Sequence, residues 1–205
     1  MQAHVITAQN KPLIQKEVPD PLLKAGMVHI RMRAAALNHR DLWINKGKYA
    51  GLVYPVIPGS DMAGVVEEVG KDVPEEWVGR DAIINPSLFW GTDESVQAKT
   101  FSILGMPAPG GLCEIVAIHR EHIFPMPEHL TYVQAAALPL AGLTAWRALT
   151  SRADTQGADK VLVTGTGGGV ALFALQFALA MGCEVWVTSG SKEKLDKVKL
   201  VQEFH

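Results

Sequence analysis

Cysteine is nearly absent: the 205 residues hold two, Cys113 and Cys183, with no paired spacing. That argues against a disulfide framework and against a cysteine zinc cage, and points to a reducing compartment. Charge of one sign is lacking too. The net charge is −2, so no basic field offers itself to nucleic acid or to an acidic membrane surface. Long apolar runs are missing: the longest, residues 170–181, is interrupted by Gln176 and falls short of the ~20 residues that a membrane span needs. The N-terminus has no basic stretch leading into an apolar core, so no secretory leader is expected. There is no internal repeat and no low-complexity segment. The expectation is a cytoplasmic protein with no nucleic-acid or membrane partner. Apolar residues make up 48% and charged ones 20%, which suits a globular fold with a sizeable core.

What is present centres on residues 160–190. The β-branched and leucine run Val161-Leu162-Val163 ends at Thr164-Gly165-Thr166-Gly167-Gly168-Gly169-Val170, and the apolar stretch 171–181 follows. This pattern predicts a buried strand, a glycine turn and a helix, with a second strand over 184–189. Glycines let backbone N–H groups approach a diphosphate, and the helix N-terminus adds donors and a favourable dipole. The spacing is not a strict G-x-G-x-x-G, because Val170 stands at the third position and Gly169 comes one residue early. The competing reading is a tight turn that binds nothing, with Ala171, Ala174 and Ala178 serving close helix–sheet packing.

The chain before this unit reads as mostly β. Short strands are expected over residues 1–7, 27–37, 63–69, 82–85 and 112–118, cut by proline and glycine at a spacing that suggests a barrel or sandwich. Residues 38–46 carry helical spacing. Residues 86–111 form a long stretch of mixed polarity, expected as a functional loop or a surface lobe. Residues 131–138 read as a helix broken at Pro139, with a second helix over 142–150.

Four further motifs accompany the glycine turn in order: Ala-Leu-Asn-His-Arg-Asp-Leu at 36–42, Pro-Gly-Ser-Asp-Met-Ala-Gly-Val-Val at 58–66, Pro-Gly-Gly-Leu-Cys-Glu at 109–114, and Ala-Ala-Ala-Leu-Pro-Leu-Ala-Gly-Leu-Thr-Ala-Trp at 135–146. Together they resemble the medium-chain dehydrogenase/reductase superfamily, in particular its zinc-less branch similar to quinone oxidoreductases and enoyl reductases. The resemblance covers nearly the whole chain. It implies an α/β plus β architecture: a GroES-like β-barrel catalytic domain over 1–125, a helical connector over 126–158, and the N-terminal part of an incomplete Rossmann NAD(P)-binding domain over 159–205. The active site would lie in the cleft between the two domains.

The resemblance also bears on metal. Zinc-dependent relatives have a cysteine where this chain has Asn38 and a histidine where it has Ser60. Zinc prefers thiolate, imidazole and carboxylate, which an amide and a hydroxyl do not replace. No zinc is expected, although His39 and Asp61 beside these positions leave a weak metal contact open. The four cysteines of the relatives' structural zinc are missing from 86–111. Without zinc, hydrogen-bond donors must stabilise a developing oxyanion. The resemblance places Asn38 beside the nicotinamide, Trp43 and Tyr49 on the substrate side, and Thr144 where it helps hold the nicotinamide. Gly165, Thr166, Gly167, Gly168, Gly169 and Val170 would cradle the pyrophosphate. The alternatives are plainer: Asn38 as a helix cap, Trp43 and Trp146 as core, His39 as structural, and Asp61 in the service of a turn.

NAD sites usually carry an acid roughly 20 residues after the glycines to hold the ribose diol. Here Ser189-Gly190-Ser191-Lys192 follow the second strand. Two hydroxyls and a lysine suit a 2′-phosphate, so NADPH is expected over NADH through Ser189, Ser191 and Lys192. Lys192 as a merely solvated lysine is the alternative. A nicotinamide site without metal suits hydride transfer to conjugated small molecules such as quinones and enones.

Residues 159–205 hold only the beginning of a dinucleotide fold, which needs two β-α-β-α-β halves. A truncated chain is expected. Its last residues, 199–205, depart from the family's usual alanine-leucine-glycine step. Two other functions stay open: a catalytically silent truncated module with a remnant nucleotide site, and a zinc-type alcohol dehydrogenase. The substrate is not legible, and a homodimer is an expectation only for a full-length form.

Overall fold

The computed structural model describes residues 1–203. Phe204 and His205, part of the C-terminal departure noted above, lie outside the described residues. The chain forms two compact units, Met1–Leu140 and Ala141–His205. The segment 126–158 is divided between them.

The first unit opens with β1 (Gln2–Val5) and β2 (Ile14–Glu17), an antiparallel pair. Then come β3 (Met27–Ala36), α1 (His39–Asn45), β4 (Asp61–Val69) and β5 (Asp81–Ile84). Two-residue strands β6 (Ser87–Leu88) and β7 (Ser102–Ile103) pair antiparallel, so the long stretch 86–111 is pinned at its base and is not a simple loop. β8 (Ile115–His119) and β9 (Ile123–Pro125) complete a five-stranded antiparallel sheet in the order β8-β3-β4-β5-β9.

Strand alternation builds the core. Val28 and Ile30 of β3, Ala82 and Ile84 of β5, and Val116 and Ile118 of β8 are all buried. Period-two side chains on one face of each strand produce this layer. Met62, Val66, Trp77 and Ile123 fill the space between. Register shifts in the β3–β4 pairing, at His29/Ile30 and Met32/Ala34, bend the sheet. Gly64 sits where the backbones close up: a Cβ there would lie 2.3 Å from the Arg31 carbonyl oxygen, so no side chain fits.

After β9 in the chain come α2 (Tyr132–Ala136) and α3 (Pro139–Arg147), the latter running across the unit boundary. Thr131 at the N-cap of α2 and Gln134 three residues on form a capping box. The break expected at Pro139 separates α2 from α3, and Pro139 itself opens the second helix, three residues before the expected start at 142. Proline fits the first helical turn because its missing N–H has no partner there to lose.

The second unit continues with β10 (Lys160–Val163), α4 (Gly169–Ala180), β11 (Glu184–Val187) and α5 (Lys192–Glu203). β10 and β11 pair in parallel, with Leu162 opposite Trp186. α4 connects them, a β-α-β crossover of the kind read from the glycine turn. Leu149, Ala178 and Cys183 form its small core. Among the described residues no helix is long and apolar enough to cross a membrane.

Ile30 is fully buried in the central layer, and Leu22 is 76% exposed. Ile30→Ala should cost about 2–5 kcal/mol in chemical denaturation, by lost burial plus a cavity. Leu22→Ala should stay within about 0.5 kcal/mol of the parent chain.

Candidate functional site

The segment 38–41 turns from β3 into α1, and the side chains of Asn38, Arg40 and Asp41 are spent inward. Asn38 stands at the N-cap of α1, and the Asp41 carboxylate accepts its backbone N–H at 2.7 Å. The other Asp41 oxygen accepts the Gly59 N–H at 3.1 Å, tying the helix start to the 58–61 turn. The side-chain amide of Asn38 donates to Asp61 Oδ2 at 2.8 Å. Asp61 Oδ1 accepts the Leu140 N–H at 2.7 Å. So Asp61, at the head of β4, has both oxygens engaged by donors from α1 and α3, and does more than serve a turn.

Arg40 is 7% exposed. Its Nη1 donates to Ser60 Oγ at 2.6 Å and to the Leu104 carbonyl at 2.8 Å, and its Nη2 donates to the Met106 carbonyl at 3.0 Å. Its Nε is buried with no hydrogen-bond partner. The guanidinium lies 5.1 Å from the Tyr49 ring centroid, a cation–π arrangement. Ser60 Oγ in turn donates to the Leu104 carbonyl at 2.7 Å. Arg40 thus fastens the 104–106 strap to the start of β4. The sequence reading passed over Arg40, whose only signal was a charged residue between two polar ones at a helix start.

Burial raises the Asp61 carboxyl above the ordinary aspartate range, and the nearby Asp41 carboxylate adds to this. The Asn38 and Leu140 hydrogen bonds and the Arg40 charge oppose the shift.

Asn38, expected beside the nicotinamide, and Trp43 and Tyr49, expected on the substrate side, share this region but differ in character. Asn38 is half-buried, Trp43 is 40% exposed on α1 with Lys46 Nζ 5.5 Å from its ring centroid, and Tyr49 packs against Ile6, Ile44, Val56 and Met106. The core reading of Trp43 fails, as does that of Trp146, 48% exposed and edge-on to Phe177 at 5.6 Å. His39 is exposed.

Zinc does not fit this donor set. Asn38 and Ser60 offer an amide and a hydroxyl, Asp61 is already doubly bonded, and a buried guanidinium occupies Ser60. A fixed positive charge at that hydroxyl repels a cation. Among the described residues, no three His, Cys, Asp or Glu side chains gather where they could hold a metal.

In the second unit the glycine turn has the form a phosphate cradle needs. Gly165 (φ +69°) and Gly167 (φ +124°) adopt backbone that other residues rarely take, and Cβ atoms at Gly165 and Gly168 would meet open space. Gly168 caps α4, whose first residues are Gly169 and Val170, so their N–H groups precede the helix's own bonding. Thr166 departs from its expected role. It is 1% exposed, and its N–H and hydroxyl both donate to the Thr188 carbonyl, at 3.0 and 2.9 Å, which ties the turn to the end of β11.

Ser189 Oγ accepts the Ser191 N–H at 3.3 Å, and Ser191 Oγ accepts the Lys194 N–H at 3.4 Å. Both hydroxyl protons are left to donate elsewhere. Lys192 is exposed at the start of α5. The residue that reaches the glycine turn is Lys194: a Cβ on Gly167 would lie 2.7 Å from its Cδ and 3.3 Å from its Nζ. The sequence pointed to Lys192; Lys194, two residues further along α5, is the lysine beside the glycines. Thr144 is exposed on α3 and has an interaction of its own.

These features coincide with what the chain is similar to. The alcohol dehydrogenase GroES-like domain matches residues 24–128. The chain belongs to that family, within the medium-chain dehydrogenase/reductase superfamily. A zinc-type alcohol dehydrogenase-like protein of Schizosaccharomyces pombe is 40% identical over 92% of this chain and 55% of its own length. The quinone oxidoreductase of Mus musculus is 34% identical over 88% of this chain and 49% of its own. Among solved structures, an NAD-dependent alcohol dehydrogenase is 34% identical with a TM-score of 0.91, covering 98% of this chain and 61% of that one. The chain spans about half the length of the curated relatives it matches.

Asp61→Ala would strand the Asn38 and Leu140 N–H groups, and should cost about 1–3 kcal/mol by denaturant titration. The native carboxyl holds its proton to higher pH than the unfolded one. The Asp61 contribution to stability therefore falls as pH rises from the ordinary aspartate value of 3.8 through the raised native one, and is level above it. The stability–pH profile of Asp61→Ala should lack that segment.

Proposed function

We propose that this chain carries the barrel domain and first nucleotide-binding unit of an NADPH-dependent oxidoreductase. It would reduce quinones, enones or similar conjugated carbonyls, small molecules, by hydride transfer without zinc. The observation that carries the cofactor choice is the surface at the end of β11: two serine hydroxyls, no acid, and Lys194 laid across the glycine turn. An acid would hold a free ribose diol, and a lysine beside hydroxyls suits a 2′-phosphate. NADPH supplies the hydride; the chain supplies position and charge. The Gly167 to Val170 backbone would receive the pyrophosphate at the start of α4, and Thr166 would hold that turn open by its bonds to Thr188.

On the barrel side, Asn38 would be the donor to the substrate oxygen or the ring carboxamide. Asp61 accepts one of its two amide protons and so sets the plane of the amide, leaving the second proton to donate. Trp43 and Tyr49 would give flat apolar surface to an extended conjugated system. Thr144 would help hold the nicotinamide. Conjugated acceptors delocalise developing charge, so they need less electrophilic help than a plain ketone. That suits a site where Asn38 and Ser60 stand in place of metal ligands, with Arg40 bonded to the Ser60 hydroxyl, and the name of the mouse relative agrees. "Zinc-type" in the name of the yeast relative does not carry over, because the donor set at 38 and 60 is wrong for zinc. A cytoplasmic location suits two free thiols.

NADPH should raise the melting midpoint of the 205-residue chain and NADH should raise it less, since a ligand that binds only the native state stabilises it. Lys194→Ala should erase most of the difference between the two cofactors, while Lys192→Ala should leave it largely intact. A cooperative melt indifferent to both nucleotides would contradict the proposal. Gly167→Ala, strained at φ +124° and crowding Lys194, should lose the NADPH response, whereas Gly168→Ala, with open space for its methyl group, should keep most of it.

A further inference from the structure

The second unit carries a strand with an open edge. β10 pairs with β11 alone, in a two-stranded parallel sheet. The Asp159 and Val163 carbonyls accept the Glu184 and Thr188 N–H groups at 2.9 and 3.1 Å, so these residues turn their backbone toward β11. Backbone groups alternate sides along a strand. The N–H and C=O of Lys160, Leu162 and Thr164 therefore point to the opposite edge. Among the described residues no strand covers that edge.

The edge borders a groove of about 650 Å³ lined by residues 159–164. Leu149, Val170, Ala171 and Ala174 also line it, so much of its wall is aliphatic. Leu162 is 62% exposed, as is its cross-strand neighbour Trp186 at 61%. Parallel strands are normally covered, and a free apolar edge is a template for pairing with another chain. The groove calls for an extended segment that is apolar on both faces and has a free edge of its own. β10 is such a segment. On one face Val161 packs against Leu149, Ala178 and Cys183, and Val163 is buried; Leu162 stands on the other.

We propose that β10 pairs with the β10 of a second copy of this chain, antiparallel and centred on Leu162, giving a four-stranded sheet in the order β11-β10-β10-β11. The contact is two-fold symmetric, with the same surface used on both copies. Leu162 faces Leu162 of the second copy, Lys160 faces Thr164, and Val161 faces Val163. The first two kinds of pair fall where the open backbone groups are, so each exchanges both of its N–H···O=C bonds. No like charges meet: Lys160 keeps Glu184 of its own sheet at 3.6 Å. Val161 and Val163 of the second copy enter on the α4 side, where Ala171 and Ala174 present small side chains.

One strand pair is a small interface, so the dimer is concentration-dependent. Sedimentation equilibrium of the whole chain should show dimer dominant by about 0.5 mM. Leu162→Lys sets like charges opposite each other across the axis and should raise the Kd more than about tenfold. Trp186→Lys adds the same charge to the same exposed face, one strand in from the edge, and should stay within about threefold. Both side chains are largely exposed, so each variant should keep the parent circular dichroism spectrum. Leu162→Cys should give a covalent dimer on mild oxidation. Lys160→Cys should not, because the register puts its two thiols roughly 13 Å apart, beyond disulfide reach. The parent chain, with its two free cysteines, is the blank. No dimer by about 0.5 mM, a Leu162→Lys chain as dimeric as the parent, equal loss in both lysine variants, or equal crosslinking of both cysteine variants would each overturn the proposal.

Discussion

A buried arginine without a carboxylate in its own bonding shell organises the first unit. Arg40 gives its terminal nitrogens to one hydroxyl and two backbone carbonyls, which draws the 104–106 strap against the start of β4. Burying a charge is costly unless it is hydrogen-bonded and balanced nearby. Here Asp61 feels the Arg40 charge, and the oxygens of Asp61 and Asp41 are themselves occupied by N–H donors from Asn38, Gly59 and Leu140. The geometry of Asn38 follows from this. Its amide is aimed by Asp61, and its backbone is fixed by Asp41. The donor role proposed for Asn38 thus rests on a network that first of all closes the fold around α1.

The same network bears on the metal question. The fungal relative carries zinc in its name, yet the donor set here is an amide and a hydroxyl with a guanidinium on that hydroxyl. A permanent cation supplies positive charge without coordination chemistry. That is consistent with acceptors whose charge is already spread over a conjugated system, and poorly matched to polarising a simple alcohol.

Much of this was legible in the chain. Strand-forming residues between proline and glycine breaks marked β3, β4, β5 and β8, and glycine punctuation marked the β-turn-α-β unit, because β propensity and positive φ both leave direct traces in residue choice. Asn38, Trp43 and Tyr49 came from the family resemblance alone; they stand at the cap of α1, on it and just after it. What was not legible depended on contacts distant in sequence. Arg40 reaches Leu104 and Met106, more than sixty residues on, and no local pattern signals that. Lys194 meets Gly167 only because α5 packs back over the turn, so the nearer lysine, Lys192, was the natural choice from spacing alone. The break between two helices at Pro139 was legible, but the second helix starts at the proline itself, because the first helical turn tolerates a residue without an N–H. Thr166 sat inside a phosphate-type turn, yet its side chain turned out to serve the turn itself.

The central claim is that Arg40 and its partners replace a metal at this site. The most direct measurement is metal analysis of the purified chain after equilibration with zinc and dialysis, paired with its melting midpoint in the presence and absence of a chelator. The account predicts well under one zinc per chain and a midpoint that neither zinc nor chelator moves. One tightly held zinc per chain, with a midpoint that drops when it is stripped, would contradict it.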